Sequence, residues 1–262
     1  MSIRSTLIYL LHKWRHCKYR WLVRRARQWQ RRYALPIIAL ADLVPETVTL
    51  APLILDDVCL PPYWGPTDHN DLIPLCQIAR FYQPRIMLEL GTAHGNLVAN
   101  ICRQCSSTHV YTVNALPEEQ TGEIITYKRL GPDQIGRVYR QYGYANRVTQ
   151  IFQNTLKLDL SPYLSGPIVD LAVIDACHDV DYVINDFFKI KPFISPQGLV
   201  LLHDTDSKLD DHLQDPENKG HLTSSYLACM MLRQRGYDVR QLANTWWGIW
   251  SPRFQPPQSI GN

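Results

Sequence analysis

The feature that most constrains this chain is an alternation that begins near residue 70. Short apolar runs, "RIMLEL", "HVYTVNAL", "RVTQIFQN", "VDLAVIDA" and "GLVLLHD", are separated by stretches of helical periodicity, among them "DLIPLCQIARFY", "NLVANICRQC", "PDQIGRVYRQYG" and "DYVINDFFKIKPFI". The last helix, "LTSSYLACMMLRQRG", leads into a closing pair, "YDVRQLA" and "WWGIWS". Strands that are apolar throughout, with amphipathic helices between them, predict a mostly parallel sheet covered on both faces. Ligands in such sheets bind beyond the carboxyl ends of the strands. The residues there are Glu89, Asn114, Asn154, Asp175, His203 and Asp204.

The first strand turns through "ELGTAHGN" into a helix. A dinucleotide fingerprint would place three glycines as G-x-G-x-x-G, with helix amides aimed at a pyrophosphate. This turn has only Gly91 and Gly95, with Thr92 and His94 between them, and Glu89 precedes the first glycine by two residues. An acid there repels phosphate and suits a cationic amine. S-adenosylmethionine (SAM), which carries an ammonium and a sulfonium and no phosphate, is such a ligand. The reading places SAM on Glu89, Gly91, Thr92 and Gly95, with Gly91 allowing close backbone approach.

Residues 70–250 resemble the class I SAM-dependent methyltransferases, and the macrocin O-methyltransferase and cephalosporin-hydroxylase-like branch in particular. "MLELGTAHG" is similar to the first motif of that branch, "VDLAVIDACHDVDYVINDF" to D-L-x-x-I-D-G-x-H-x-Y-E-x-V-x-x-D, and "GLVLLHDTD" to G-G-x-x-x-x-H-D. The resemblance implies an α/β Rossmann-like, doubly wound sheet of seven strands, the last antiparallel, and methyl transfer from SAM. It also implies an acid at the end of the second strand for the ribose hydroxyls. Asn114 stands there, with Glu118 and Glu119 close behind to substitute, and Asn154 and Asp175 complete the expected cofactor set. Cys177 and Val180 replace a common acid and a common aromatic residue, so the acceptor side is specialised.

Methyl transfer to a hydroxyl needs in-line alignment and removal of a proton, by a base or by a metal that lowers the hydroxyl pKa. Asp175 and Asp204 fall on adjacent strands and could share a hard cation such as Mg²⁺, with His203 as a further ligand. Catechol-type enzymes look similar here but carry Asn after the second Asp, where this chain has Thr205. His178 is the candidate general base, with Asp175 and His203 beside it. Asp181 and Asp186 are read as supports of the following helix, and His94 as a residue that shapes the turn. An NAD-dependent oxidoreductase and a non-catalytic SAM-binding scaffold are the competing readings. The expected acceptor is a small molecule or sugar.

Ahead of this domain (70–252) lie a basic amphipathic helix (1–35) and a Pro-rich linker or lid (36–69), and a tail (253–262) follows. Residues 1–41 hold ten Lys and Arg and no acid, leaving 17 bases against 24 acids in the remainder, a net of −7. The catalytic part thus offers no general attraction for nucleic acid. Trp14, Trp21 and Trp29 on the basic helix suit a membrane surface or an acidic partner, or an accessory helix docked on the domain. Residues 1–33 are expected to be dispensable for folding. "LPPYWG" is similar to the D/N-P-P-Y of amino-group methyltransferases, but Leu60 stands where the acceptor side chain would be, so it reads as a turn. Seven scattered cysteines, including Cys102 and Cys105, make no disulfide framework and no paired zinc motif. With no apolar run of roughly 20 residues to span a bilayer, the expected location is cytoplasmic, with or without a peripheral membrane contact.

Overall fold

The computed structural model describes residues 21, 24, 27–45, 48–54, 67–120, 130–205 and 225–254. Eight strands form one sheet: β1 (Ile37–Ile38), β2 (Ile86–Leu90), β3 (His109–Asn114), β4 (Val148–Phe152), β5 (Val169–Ile174), β6 (Ile194–Leu202), β7 (Arg240–Leu242) and β8 (Gly248–Trp250). Their order is β1-β7-β8-β6-β5-β2-β3-β4. Only β8 runs against its neighbours β6 and β7, as expected for the last strand. The additional strand is β1, which pairs parallel with β7 inside the segment read as a linker. At two residues it carries no legible alternation.

Helices α1 (Thr67–Tyr82), α2 (Asn96–Gln104), α3 (Arg137–Gln141), α4 (Val180–Ile190) and α5 (Ser225–Gln234) cover the sheet. The side chains of alternate strand residues enter two separate cores. Leu88, Leu90, Ala172, Ile174, Val200 and Leu202 meet α4 and α5 through Val183, Phe187, Leu227 and Met230. Met87, Leu171, Val173, Leu199 and Leu201 meet α1 and α2 through Leu75, Ile78, Val98 and Ile101. This is why the central strands read as nearly continuous apolar runs: both of their faces are inside.

The expected helix over 132–143 shrinks to α3, because Gly136 takes a left-handed conformation (φ 72°) and starts the helix late. The expected helix over 181–194 ends at Ile190, and β6 begins at Ile194. Residues 27–33 are helical, and Trp29 and Tyr33 pack against the α4/α5 core. The first 33 residues are therefore not a detachable arm throughout: cutting at 33 strips two aromatic side chains from that core. "LPPYWG" and residues 1–20 lie outside the described residues. No described helix is long and apolar enough to cross a membrane. Cys102 and Cys105 are free and buried near the end of α2, consistent with a packing role.

Candidate functional site

The sheet register sets up the surroundings of the glycine turn. Glu89 on β2 is the direct partner of Thr112 on β3. Its carboxyl accepts a hydrogen bond from Thr112 Oγ1 and is buried beneath the glycine turn. Burial, which outweighs the Thr112 hydrogen bond and is reinforced by the charge of Asp175, pushes the Glu89 pKa up to about 8. Thr92 is turned the same way: its hydroxyl lies 2.6 Å from Thr112 Oγ1 and accepts from Gln150 Nε2 at 3.0 Å. Tyr139 Oη donates to Gln150 Oε1 at 3.2 Å, completing a polar chain under the turn. The Glu89 and Thr92 side chains thus support the turn from below, and what the turn presents outward is backbone.

That backbone is tightly determined. Gly91 N and Thr92 N donate to Val113 O (2.8 and 3.2 Å), and Gly95 N donates to Thr92 O (2.7 Å). Ala93 N donates to Asn114 Oδ1 (3.0 Å), while Asn114 Nδ2 donates to Ala115 O (2.8 Å). The carbonyls of Ala93 and His94 accept from Gly136 N and Val138 N, both at 2.9 Å. Gly91 has φ 109°, and a Cβ there would lie 2.1 Å from the carbonyl oxygen of Asp175. The sequence points to Gly91 as the place where a ligand approaches; the structure shows that its immediate neighbour is the end of β5. Four amides of the turn are already paired within the protein, so they cannot cradle a pyrophosphate.

The neighbouring rim is assembled by the ends of β5 and β6. Asp175 N donates to Leu90 O (2.8 Å) and His203 N to Ile174 O (3.0 Å), which fixes these two strand ends against β2 and against each other. Asp204 adopts φ 54°, uncommon for a residue with a side chain. His178 Nδ1 lies 2.8 Å from Asp204 Oδ2, and His178 Nε2 lies 3.5 Å from Asp175 Oδ1. His203 Nδ1 lies 3.2 Å from Asp175 Oδ1 and 3.3 Å from Asp204 Oδ1. All four side chains singled out at these strand ends are thus brought together. Sequence reasoning missed the fifth, Asp71 on α1, whose Oδ2 lies 3.3 Å from His203 Nε2. Asp71 also accepts from Trp246 N (2.8 Å), and its carbonyl accepts from Trp247 Nε1 (2.9 Å), so it pins the β7–β8 loop over the rim. A lone acid on a helix some 130 residues from its partner carries no local signal.

The charges follow from this geometry. Burial alone would lower the His178 pKa, but its hydrogen bonds to Asp175 and Asp204 raise it to about 10. His203 is likewise raised well above its usual value: burial opposes the charge, and Asp175 and Asp204 outweigh burial. Burial would raise Asp175 and Asp204, but the imidazoles hold both below the usual carboxylate range. At neutral pH the rim is therefore two imidazolium ions between three aspartates. The side chain of Asp175, 36% exposed, is the most open of the four residues around the two imidazoles' shared contacts. Among the described residues no group of three or more His, Cys, Asp and Glu side chains is arranged to hold a metal ion.

Residues 88–205 match the family model of a methyltransferase domain. The matched part is somewhat under half of the chain, and it is to methyltransferase domains that this part is similar. The matched span runs from β2 through the end of β6, so it includes the glycine turn and four of the five rim residues. No curated protein matches the chain. Among solved structures, a Corynebacterium glutamicum protein superposes with TM-score 0.50 at 16% identity, over 89% of this chain and 90% of that one. An O-methyltransferase family protein from Burkholderia thailandensis gives 0.48 at 15% identity, over 68% of this chain and only 53% of that one. An SAH-bound methyltransferase from Podospora anserina gives 0.47 at 15%, over 68% and 76%. At such identities these likenesses concern the fold alone.

Proposed function

We propose that the methyltransferase domain moves the SAM methyl group to a hydroxyl oxygen of a small-molecule or sugar acceptor, and that the acceptor sits above Asp175. The observation that carries this reading is the contact between the two halves of the site. Gly91, in the turn assigned to SAM, packs directly on the backbone of Asp175, the most open carboxylate of the rim. A methyl donor on the turn and an oxygen beside Asp175 are then neighbours, as an in-line displacement requires.

The donor pairing of the rim supports a division of roles. His178, held as an imidazolium, is a hydrogen-bond donor and not the base that the sequence suggests. Its place, and that of His203, is to fix Asp175 through Oδ1. As the S–CH₃ bond breaks and the O–CH₃ bond forms, the hydroxyl proton passes to Asp175. The methyl-bearing oxygen becomes strongly acidic late in the transfer, so a weakly basic carboxylate suffices to accept that proton. Asp71, from the far side of His203, keeps that ring and the β7–β8 loop in place.

Mg²⁺ assistance through Asp175, Asp204 and His203 is the second reading. Mg²⁺ favours octahedral oxygen coordination, whereas the oxygens of Asp175 and Asp204 already meet the rings of His178 and His203, and His203 itself offers only nitrogen, so the residues as placed do not fit it. The oxidoreductase reading is disfavoured by the paired amides of the turn. For residues 1–33 we propose a peripheral contact with an anionic membrane surface. Trp21, 54% exposed on the basic segment, supports it, and liposome flotation of the whole chain tests it.

The central experiment uses methyl-labelled SAM with a panel of phenolic and sugar hydroxyl compounds, in EDTA and in Mg²⁺. Label transfer is expected to survive EDTA and to fall roughly 10²-fold or more in Asp175→Asn, the range for loss of a positioned proton acceptor. Transfer abolished by EDTA and restored by Mg²⁺ would return the site to the metal reading. Transfer unaffected in Asp175→Asn would remove Asp175 from the mechanism.

A further inference from the structure

A cavity surrounds the edge strand β1, lined entirely by residues outside the span 88–205 that matches the family model. Pro36 leads into that strand, Arg240 opens β7, Arg253 and Phe254 follow the antiparallel β8, and Tyr82 ends α1. These positions lie toward the starts of the parallel strands, whereas Asp175, His203 and Asp204 lie at their ends. The cavity measures about 500 Å³. Small-molecule sites span roughly 300–1,000 Å³.

One side of it is apolar. Ile37, Leu43 and Phe254 line it, and Ile37 is 76% exposed, a large aliphatic side chain left bare on the wall. The other side is cationic. Asp238 is a single buried carboxylate between two guanidinium groups: Oδ1 accepts from Arg233 Nη1 at 2.5 Å and Oδ2 from Arg240 Nε at 2.8 Å. The second acid of the lining, Asp42, accepts from Ala39 N through Oδ2 at 3.0 Å. Arg253 meets no carboxylate among the described residues; it donates at the long distances of 3.4 Å to Ser251 Oγ and 3.5 Å to Tyr82 Oη. Arg240 rests 4.3 Å from the ring centre of Phe254, and Arg253 5.7 Å from that of Tyr82. Three guanidinium groups thus stand against two carboxylates, a surplus of one positive charge beside an exposed apolar wall.

A guanidinium fork matches the oxygens of a carboxylate or phosphate. A neutral ligand would leave Arg253 without a counter-charge, and an inorganic anion would leave Ile37 bare. We infer that this cavity binds a small organic oxyanion, a carboxylate or phosphate monoester with a hydrocarbon body. The oxyanion meets Arg253 and Arg240, and the body covers Ile37 and Phe254. The site is separate from the methyl-transfer reading and does not depend on it. A free metabolite and an anionic lipid both present this chemistry, and the test tells them apart.

The test is isothermal titration of the full chain with phenyl phosphate, inorganic phosphate and benzyl alcohol. The parent should bind phenyl phosphate at least tenfold more tightly than inorganic phosphate, and benzyl alcohol not measurably. Arg253→Gln should weaken phenyl phosphate about tenfold, the scale of one charge-assisted hydrogen bond. Ile37→Thr, which keeps the branched side chain of a strand residue, should bring phenyl phosphate down toward inorganic phosphate. Thermal melts establish which variants are folded, and if Arg253→Gln melts early, Ile37→Thr decides alone. Flotation on phosphatidylcholine vesicles with and without phosphatidic acid identifies the source. Loss of the phosphatidic acid increment in Arg253→Gln assigns the cavity to a lipid, and an increment equal to the parent's assigns it to a soluble anion. A parent that binds no phenyl phosphate, or binds it no more tightly than inorganic phosphate, overturns the inference. So does a folded variant of either kind that binds it as the parent does.

Discussion

Replacing Gly91 with alanine tests whether the two halves of the site are one mechanical unit. Gly91 sits at φ 109°, where a side chain is strained, and its new Cβ would lie 2.1 Å from Asp175 O, 2.5 Å from Asp175 C and 2.9 Å from Ala176 N. All three are backbone atoms, and Asp175 N is itself bonded to Leu90 O at 2.8 Å, so no flexible side chain can yield. The strained conformation costs about 1–3 kcal/mol and the overlap about 1–3 kcal/mol more, for a loss of about 2–6 kcal/mol. For a chain of this size each kcal/mol shifts Tm by roughly 2–4 °C, so Gly91→Ala should melt about 5–20 °C below the parent. Gly143→Ala is the control: φ is 77° there but nothing lies within 4 Å of the added Cβ, so it carries the conformational cost alone. Because relief must displace Asp175, methyl transfer should fall even at temperatures where the variant is folded. Circular dichroism melts and the labelled-SAM assay read the two effects. A Gly91→Ala protein that melts with Gly143→Ala and retains full transfer would refute the coupling.

Arg147 donates to Cys102 O (2.5 Å), Cys105 O (2.7 Å) and Ser106 O (3.0 Å) around the end of α2, so Arg147→Met should cost about 1.5–3 kcal/mol in a thermal melt, and Arg147→Lys should rescue little because an ammonium cannot span the three carbonyls. His178, raised from 6.5 to about 10, contributes stability that is fully present below pH 6.5 and is lost as pH rises through 10; melts across that window should decline, and His178→Asn should flatten the decline. Glu89, raised to about 8, is largely protonated at pH 7 in the free protein, and the ammonium of SAM would favour its ionised form. Titrations at pH 7 in buffers of different ionisation heat should therefore show more proton release on SAM binding in the parent than in Glu89→Gln, and equal release in both would show that Glu89 does not sense the ligand.

Much of the fold was legible because both faces of the central strands are buried, so β2, β5 and the end of β6 appear as apolar runs broken only by Glu89 and Asp170. The rim residues Asp175, His178, His203 and Asp204 were legible for a related reason: each follows such a run, where the chain must leave the sheet. What stayed hidden was relational. β1 is two residues long, and its pairing with β7 exists only in the folded sheet. Asp71 acquires meaning from Trp246 and His203, far along the chain. The directions of Glu89 and Thr92 depend on Thr112 and Gln150 lying across the register, so a sequence that marks the turn correctly cannot show that its acidic side chain points inward. The protonation of His178 is hidden in the same way, since residue type suggests a base and only two flanking carboxylates make it an acid.

The same geometry explains why this rim tolerates so much buried charge. Three aspartates converging alone would repel one another. With His178 between Asp175 and Asp204, and His203 between Asp71 and the same pair, each carboxylate meets an imidazolium and each ring nitrogen that could donate meets an oxygen. The assembly draws on α1, β5, the loop into α4, and β6, and Asp71 extends it to the β7–β8 loop. No single element can shift without leaving an ion unpaired, which costs far more than a surface ion pair contributes. Asp175 is the one member of its contacts that keeps substantial exposure, so the rigidity of the other four converges on the carboxylate that, in the proposed reading, the acceptor would meet. A rigid, half-open carboxylate beside the cofactor turn is a means of positioning, and positioning is the larger part of what a methyl displacement asks of its protein.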